Sequence, residues 1–181
     1  MIKRIFDILF SFSIILFLGI FIFIFWLLAS IDTKSNGLFV QKRIGQYGKI
    51  FKIFKLKSIQ NNSDEITKFG KFLRKSKIDE LPQFWNVLIG NMSIVGFRPD
   101  IAGYYDKLSG ENRKILNLKP GLTSLASIKY ADEDDILADQ TYPLQFNDDI
   151  IFPDKVKMNL KYIDNQSFIL DLKIICKTIF R

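Results

Sequence analysis

Between Ile8 and Ile31 the chain carries 24 consecutive residues without a charge. As a helix they would be roughly 36 Å long, enough to cross the ~30 Å hydrocarbon core of a bilayer. Trp26, near one end, is the residue type that anchors at a membrane interface. A secretory signal has a shorter apolar core and ends in a small-residue cleavage site. Ala29-Ser30-Ile31 makes a poor one. Residues 1–31 therefore read as a retained membrane segment and residues 32–181 as one further domain. The bland alternative is a buried helix of a water-soluble protein.

Basic residues flank the block on both sides. Lys3 and Arg4 precede it; Lys34, Lys42, Arg43, Lys49, Lys52, Lys55 and Lys57 follow. The positive-inside bias places the large C-terminal part in the cytoplasm, and the basic N-terminus favours the same face. A re-entrant helix satisfies both. A bend normally needs a Pro or a polar break, and none of the five prolines lies here. Ser11, Ser13 and Gly19 are the only weak points. These residues alone leave spanning and re-entrant topologies open.

The rest of the composition narrows the chemistry. There is no His and one Cys in 181 residues. That removes Ser–His nucleophile pairs, intrachain disulfides and His- or Cys-built zinc sites. Catalysis would have to come from Asp, Glu, Lys, Arg, Ser, Thr or Tyr. A metal would be a hard one held by oxygen, such as magnesium. The net charge of +7 suits an anionic partner.

Leu38–Lys42 and Ile50–Leu56 read as the strands of a hairpin around Gly45-Gln46-Tyr47-Gly48. Its lysines form either a solvated face or an anion-binding ribbon. Ser63–Lys75 reads as a helix with Arg74 and Lys75 at its end. Leu81, Phe84, Trp85, Leu88 and Ile89 form an amphipathic stripe. Pro82 is tolerated only in a first turn, so that helix should start near Asp79, and Gly90-Asn91 should end it. Ser167–Phe180 reads as a last amphipathic helix, closing the core or lying on the membrane surface. Cys176 falls on its apolar side and reads as a buried thiol.

Asp79 and Glu80 then stand at a helix N-terminus, where a carboxylate stays ionised and phosphate is attracted. Taken alone, Asp79 is most simply a helix cap. Gly96-Phe97-Arg98-Pro99 and Lys119-Pro120-Gly121-Leu122-Thr123 each set a cation in a rigid turn, which by itself is turn punctuation.

In order, these pieces are far more specific. The chain opens Lys3-Arg4-Ile5-Phe6-Asp7 and continues Phe39-Val40-Gln41-Lys42-Arg43-Ile44-Gly45, then Phe51-Lys52-Ile53-Phe54-Lys55-Leu56-Lys57-Ser58. Ile78-Asp79-Glu80-Leu81-Pro82-Gln83-Phe84-Trp85-Asn86 follows. Then come Asn91-Met92-Ser93-Ile94-Val95-Gly96-Phe97-Arg98-Pro99 and Lys119-Pro120-Gly121-Leu122-Thr123, and near the end Ser167-Phe168-Ile169-Leu170-Asp171. This resembles the bacterial sugar transferase family, the small monotopic phosphoglycosyl transferases, over essentially the whole chain.

The resemblance implies a mostly helical α+β fold. A re-entrant N-terminal membrane helix would sit beside a compact cytosolic catalytic domain with a small β-hairpin and interfacial amphipathic helices. It implies transfer of a sugar-1-phosphate from a UDP-sugar to polyprenyl (undecaprenyl) phosphate with release of UMP, initiating membrane-linked glycoconjugate synthesis. The site would be the cytoplasmic face of the bacterial inner membrane, in contact with membrane lipid. Asp79 would be the nucleophile, giving a covalent aspartyl-phosphosugar. Glu80, with Asp79, would hold Mg2+. Lys57, Arg74, Arg98 and Lys119 would bind substrate phosphates. A homodimer is left open, and nucleic acid is not expected as a partner. The chain departs from the family pattern at Gly19-Ile20, where Ser-Pro is usual, and at Phe97, Lys57, Lys119 and Ser124. The stretch from Lys129 to Asp154 carries little of the pattern and would shape sugar specificity. Two rivals stand beside this reading. One is a transferase in which the acids bind only metal. The other is a membrane-anchored basic module for acidic lipid or a partner protein.

Overall fold

The computed structural model describes residues 2–61, 63 and 65–180. The helices are α1 (Ile2–Asp32), α2 (Lys68–Lys75), α3 (Gln83–Leu88), α4 (Leu125–Lys129), α5 (Glu133–Ala138), α6 (Pro143–Phe146), α7 (Phe152–Asp164) and α8 (Phe168–Ile179). The strands are β1 (Leu38–Ile44), β2 (Ile50–Leu56), β3 (Ser93–Val95) and β4 (Gly121–Thr123). The expected α+β, mostly helical class is what is found. The chain divides into two compact units, Met1–Arg43 with Ile50–Asn91, and Ile44–Lys49 with Met92–Arg181. The expected division between residues 31 and 32 falls inside the first unit.

In the first unit, two helices are turned inside out relative to a water-soluble protein. Helix α1 buries Asp7, Ser11 and Ala29, while Phe17 and Ile31 are 73% and 75% exposed. It is one uninterrupted helix through Gly19-Ile20. Helix α3 buries Gln83, Asn86 and Val87 and leaves Trp85, on its apolar stripe, half exposed. Ile89, just past its end, is half exposed too. Asn86 accounts for the inversion in α3. Its side chain accepts from the Phe54 backbone N–H at 3.1 Å and donates to the Lys52 carbonyl at 2.7 Å, fixing α3 to β2. We expect Asn86→Ala to cost about 2–4 kcal/mol by stranding both groups, read as a lowered melting temperature in detergent.

The two ends of α1 are both held by this unit. Arg4 donates to the carbonyls of Val87 and Leu88 at 2.7 and 2.9 Å, satisfying the C-terminus of α3. At the other end, Ala29 is buried with Leu56 and Leu73, and Phe25, Trp26, Phe69 and Ile78 pack around them. Thr67 ties the same end to α2: it donates to Asp32 and accepts from the Gly70 N–H as the N-cap.

That cap is why α2 begins at Lys68 and not at Ser63 as expected. Ile66 is still in an extended bridge with Ile59. (Asp64, in the expected span, lies outside the described residues.) The next helix also starts later than expected. Lys77 takes a left-handed conformation, with φ 56°, and ends α2. Ile78–Glu80 then forms a single 3₁₀ turn, and α3 follows Pro82. Gly90, with φ 91°, ends it as expected.

The second unit is built around Ile44, Phe97, Tyr105, Ile115, Leu116 and Val156. Its parallel pair β3–β4 has no sequence signal of its own. It pairs Ser93 with Gly121 and Val95 with Thr123. The pairing demands two glycines: a Cβ on Gly96 would lie 2.2 Å from the Lys119 carbonyl oxygen, and one on Gly121 would lie 2.1 Å from the Gly96 nitrogen. Helix α8 buries Asp171, Ile174 and Ile175. Cys176 is one position off that line and is exposed, contrary to the buried thiol expected.

Candidate active site

The acid pair sits in the 3₁₀ turn between α2 and α3. The structure removes the bland explanation of Asp79, since the residue before α3 is Pro82 and the one before the 3₁₀ turn is Lys77. Asp79 caps neither helix. It is 7% exposed, and its Oδ1 is buried without a hydrogen-bond partner. A stranded carboxylate oxygen is costly and rare in a folded protein. Burial pushes the Asp79 carboxyl above the usual carboxylate range, and the charge of Glu80 adds to the rise. Lys55, Lys77 and Arg74 pull it back.

Those opposing charges describe the site. Glu80 forms an ion pair with Lys55, Oε1 to Nζ 2.9 Å, with both side chains mostly buried. Lys55 sits in β2 between Phe54 and Leu56 and in sequence is one of the lysines that read either as a solvated face or as an anion-binding ribbon. It is instead the residue that ties the hairpin to the acids. Lys77 is brought to Asp79 by the left-handed turn. Arg74 is aimed by a backbone contact: Gly70 packs so closely on Ser58 that a Cβ there would lie 2.1 Å from the Ser58 carbonyl oxygen. The Ser58 hydroxyl then accepts from Arg74 Nε at 2.8 Å.

Of the four expected phosphate-binding cations, Arg74 and Lys57 lie in the first unit with the acids. Lys57 donates to Ser35 Oγ at 2.7 Å and Asn61 Oδ1 at 3.0 Å. Arg98 and Lys119 lie in the second unit. There the structure joins what sequence treats separately. Ser93 N–H donates to the Pro120 carbonyl and Gly121 N–H to the Phe97 carbonyl, so the Arg98 and Lys119 turns run side by side.

Gln83 was not singled out by sequence reasoning. It lies four residues beyond Asp79 on the same helical path, is 3% exposed, and its Nε2 also lacks a partner. A buried donor and a buried acceptor left open within one turn are the features a substrate completes. A polar residue on a short amphipathic helix carries no sequence signal for this.

The acids also fit a magnesium ion. Both are hard oxygen donors, and Asp79 Oδ1 has lone pairs unused. Among the described residues no group of three or more potential metal-binding side chains exists. Water and substrate phosphate would have to complete the shell, which is how magnesium is commonly held.

Burial of the Asp79 charge has a stability consequence. The folded protein binds the Asp79 proton more tightly than the unfolded chain does, so ionisation above its folded pKa costs stability. That cost is present at neutral pH and fades as pH falls. Asp79→Asn keeps the shape without the charge. It should melt no lower than wild type at pH 8, with the difference shrinking toward pH 4.

Comparison with known proteins adds the wider context. The sequence profile of the family described as bacterial sugar transferase matches residues 1–181. A galactosyl transferase, CpsE, from Streptococcus agalactiae is 33% identical over 81% of this chain and 35% of its own length. A UDP-glucose:undecaprenyl-phosphate glucose-1-phosphate transferase from Klebsiella pneumoniae is 32% identical over 99% of this chain and 39% of its own length. The exopolysaccharide production protein PSS of Rhizobium leguminosarum is 31% identical over 98% of this chain and 92% of its own length. The chain thus spans little more than a third of the first two relatives and nearly all of the third.

Proposed function

The chain belongs to the bacterial sugar transferase family, and from that premise we propose that it moves a sugar-1-phosphate from a UDP-sugar to undecaprenyl phosphate, releasing UMP. The observation that carries this reading is the buried, partnerless Asp79 Oδ1, set among Lys55, Lys77 and Arg74. A carboxylate nucleophile has no proton to lose, so it needs no general base, and the chain has no His to serve as one. Phosphoryl transfer asks mainly for positioned charge.

In the first half-reaction an Asp79 oxygen bonds to the β-phosphorus of the UDP-sugar. The bond from that phosphorus to the bridging oxygen breaks, and UMP leaves with the electron pair. Lys55, Lys77 and Arg74 offset the negative charge gathered there. In the second, a phosphate oxygen of undecaprenyl phosphate attacks the same phosphorus and expels the Asp79 carboxylate. Gln83 Nε2, buried without a partner, would donate to a substrate oxygen during both. Magnesium, held by Asp79 and Glu80, would screen the diphosphate charge. Excess chelator should lower turnover at least 100-fold, and added magnesium should restore it; full activity in chelator would refute the metal.

The lipid acceptor calls for a membrane-bound enzyme. Helix α1 is the one described helix long and apolar enough to cross a bilayer, and 6% of its most apolar window is buried in the protein. Its N-terminal Arg4 bonds to α3, and its other end packs on α2 and β2. Both ends thus belong to the unit that carries the acids, which favours a re-entrant over a spanning helix even though α1 runs uninterrupted through Gly19-Ile20, and the basic flanks favour the cytoplasmic face. An N-terminal tag should be labelled only from the cytoplasmic side in cells; periplasmic labelling would sink this topology.

The reading is tested by UMP release from nanodisc-held protein across a panel of UDP-sugars. UMP formation with one donor is expected. None with any donor, from folded protein, would favour the rival basic module, whose binding to acidic lipid would survive Asp79→Ala and weaken with salt.

A further inference from the structure

Beside the acid pair the first unit holds an open apolar cavity of about 480 Å³. Its walls include Gly19 and Trp26 of α1, Phe54 of β2, and Leu81, Pro82 and Trp85. No charged residue lines it. We propose that this cavity holds the phosphate-proximal isoprene units of the polyprenyl phosphate acceptor. The proposal rests on the transfer reading above.

Three observations choose the occupant. First, the cavity begins where the acid pair ends. Leu81 and Pro82, which line it, directly follow Asp79 and Glu80 in the chain, and Phe54 and Leu56 line it from β2, the strand whose other face carries the Lys55 that pairs with Glu80. A ligand with its phosphate at the acid pair meets apolar wall from Leu81 onward. Second, the wall offers almost nothing to hydrogen-bond, so a nucleotide or sugar would lose its hydration there without compensation. Third, one wall is the middle of the apolar α1, and Trp85 on another wall is half exposed on the inverted face of α3. With α1 in the bilayer, a cavity walled by the middle of that helix lies at membrane depth, within reach of a lipid chain. An anionic head joined to an apolar chain matches all three.

The chain supplies its own reporter. Its two tryptophans, Trp26 and Trp85, both line this cavity, so intrinsic emission reads its occupancy without a label. Undecaprenyl phosphate titrated into nanodisc-held protein should change that emission saturably. Phosphatidic acid, with a phosphate head on two acyl chains, should not reproduce the change at the same mole fraction. An added Cβ at Gly19 meets nothing within 4 Å, so Gly19→Leu should extend into the cavity and weaken the response at least tenfold. An unchanged emission with undecaprenyl phosphate overturns the proposal. So does an equal response to phosphatidic acid, which would mark a general lipid groove, or equal affinity in a folded Gly19→Leu protein. UMP formation is followed separately. An emission response without UMP keeps the cavity site and sinks the transfer reading, whereas UMP without a response does the reverse.

Discussion

Asp79→Asn should reduce sugar-phosphate transfer by roughly 10⁴-fold or more, the scale on which removal of a covalent nucleophile is felt. The loss should come without unfolding. The substituted amide fills the same buried space and removes a charge whose burial already pushes the carboxyl pKa up. A protein that melts as high as wild type and turns nothing over separates a chemical role from a structural one. Glu80→Gln leaves Asp79 in place but takes the partner from Lys55, so it should reduce turnover less than Asp79→Asn does.

The second large effect belongs to Lys55. Its ammonium holds Glu80 at 2.9 Å and is the first of the three cations that lower the Asp79 pKa. Lys55→Ala should therefore act twice. Turnover should fall by roughly 10²–10³, the scale for losing one fixed electrostatic contact in a water-poor site. The acid limb of the pH–rate profile should also move to higher pH. Asp79 reacts as the carboxylate, so activity rises with pH through its pKa, and removing a cation raises that pKa further. A loss of rate with an unmoved acid limb would mean that Lys55 only holds Glu80.

How much of this could be read in advance depends on the residue. The apolar block announced α1, because no other use of so many uncharged residues is common. Its inside-out packing was hidden, since nothing in so uniformly apolar a run marks Asp7, Ser11 and Ala29 as the positions that face the protein. Asp79 and Glu80 were visible only through the ordered run of motifs around them; alone, an acid near a helix start is a cap. Lys55 was obscured because the alternating lysines of β2 read either as a solvated face or as an anion-binding ribbon, and nothing singles it out among them. Gln83 and Asn86 were obscured for the same reason on α3. The β3–β4 pair was not legible, because strands of three residues carry too little pattern. Gly96 and Gly121 do mark its close crossing, but their motifs read first as turns. Arg74 and Lys57 read alike in sequence; in the structure both bond to side-chain oxygens, Arg74 to Ser58 and Lys57 to Ser35 and Asn61, and of the two Arg74 is the one whose charge lowers the Asp79 pKa.

The most direct measurement uses a UDP-sugar labelled at the β-phosphorus, mixed with the protein without acceptor, quenched and peptide-mapped. Label is expected on the peptide carrying Asp79, absent in Asp79→Asn and discharged from wild type when undecaprenyl phosphate is added before quenching. Turnover in the full reaction with no label ever trapped on that peptide would contradict that expectation, and would leave Asp79 and Glu80 as metal ligands for a direct transfer.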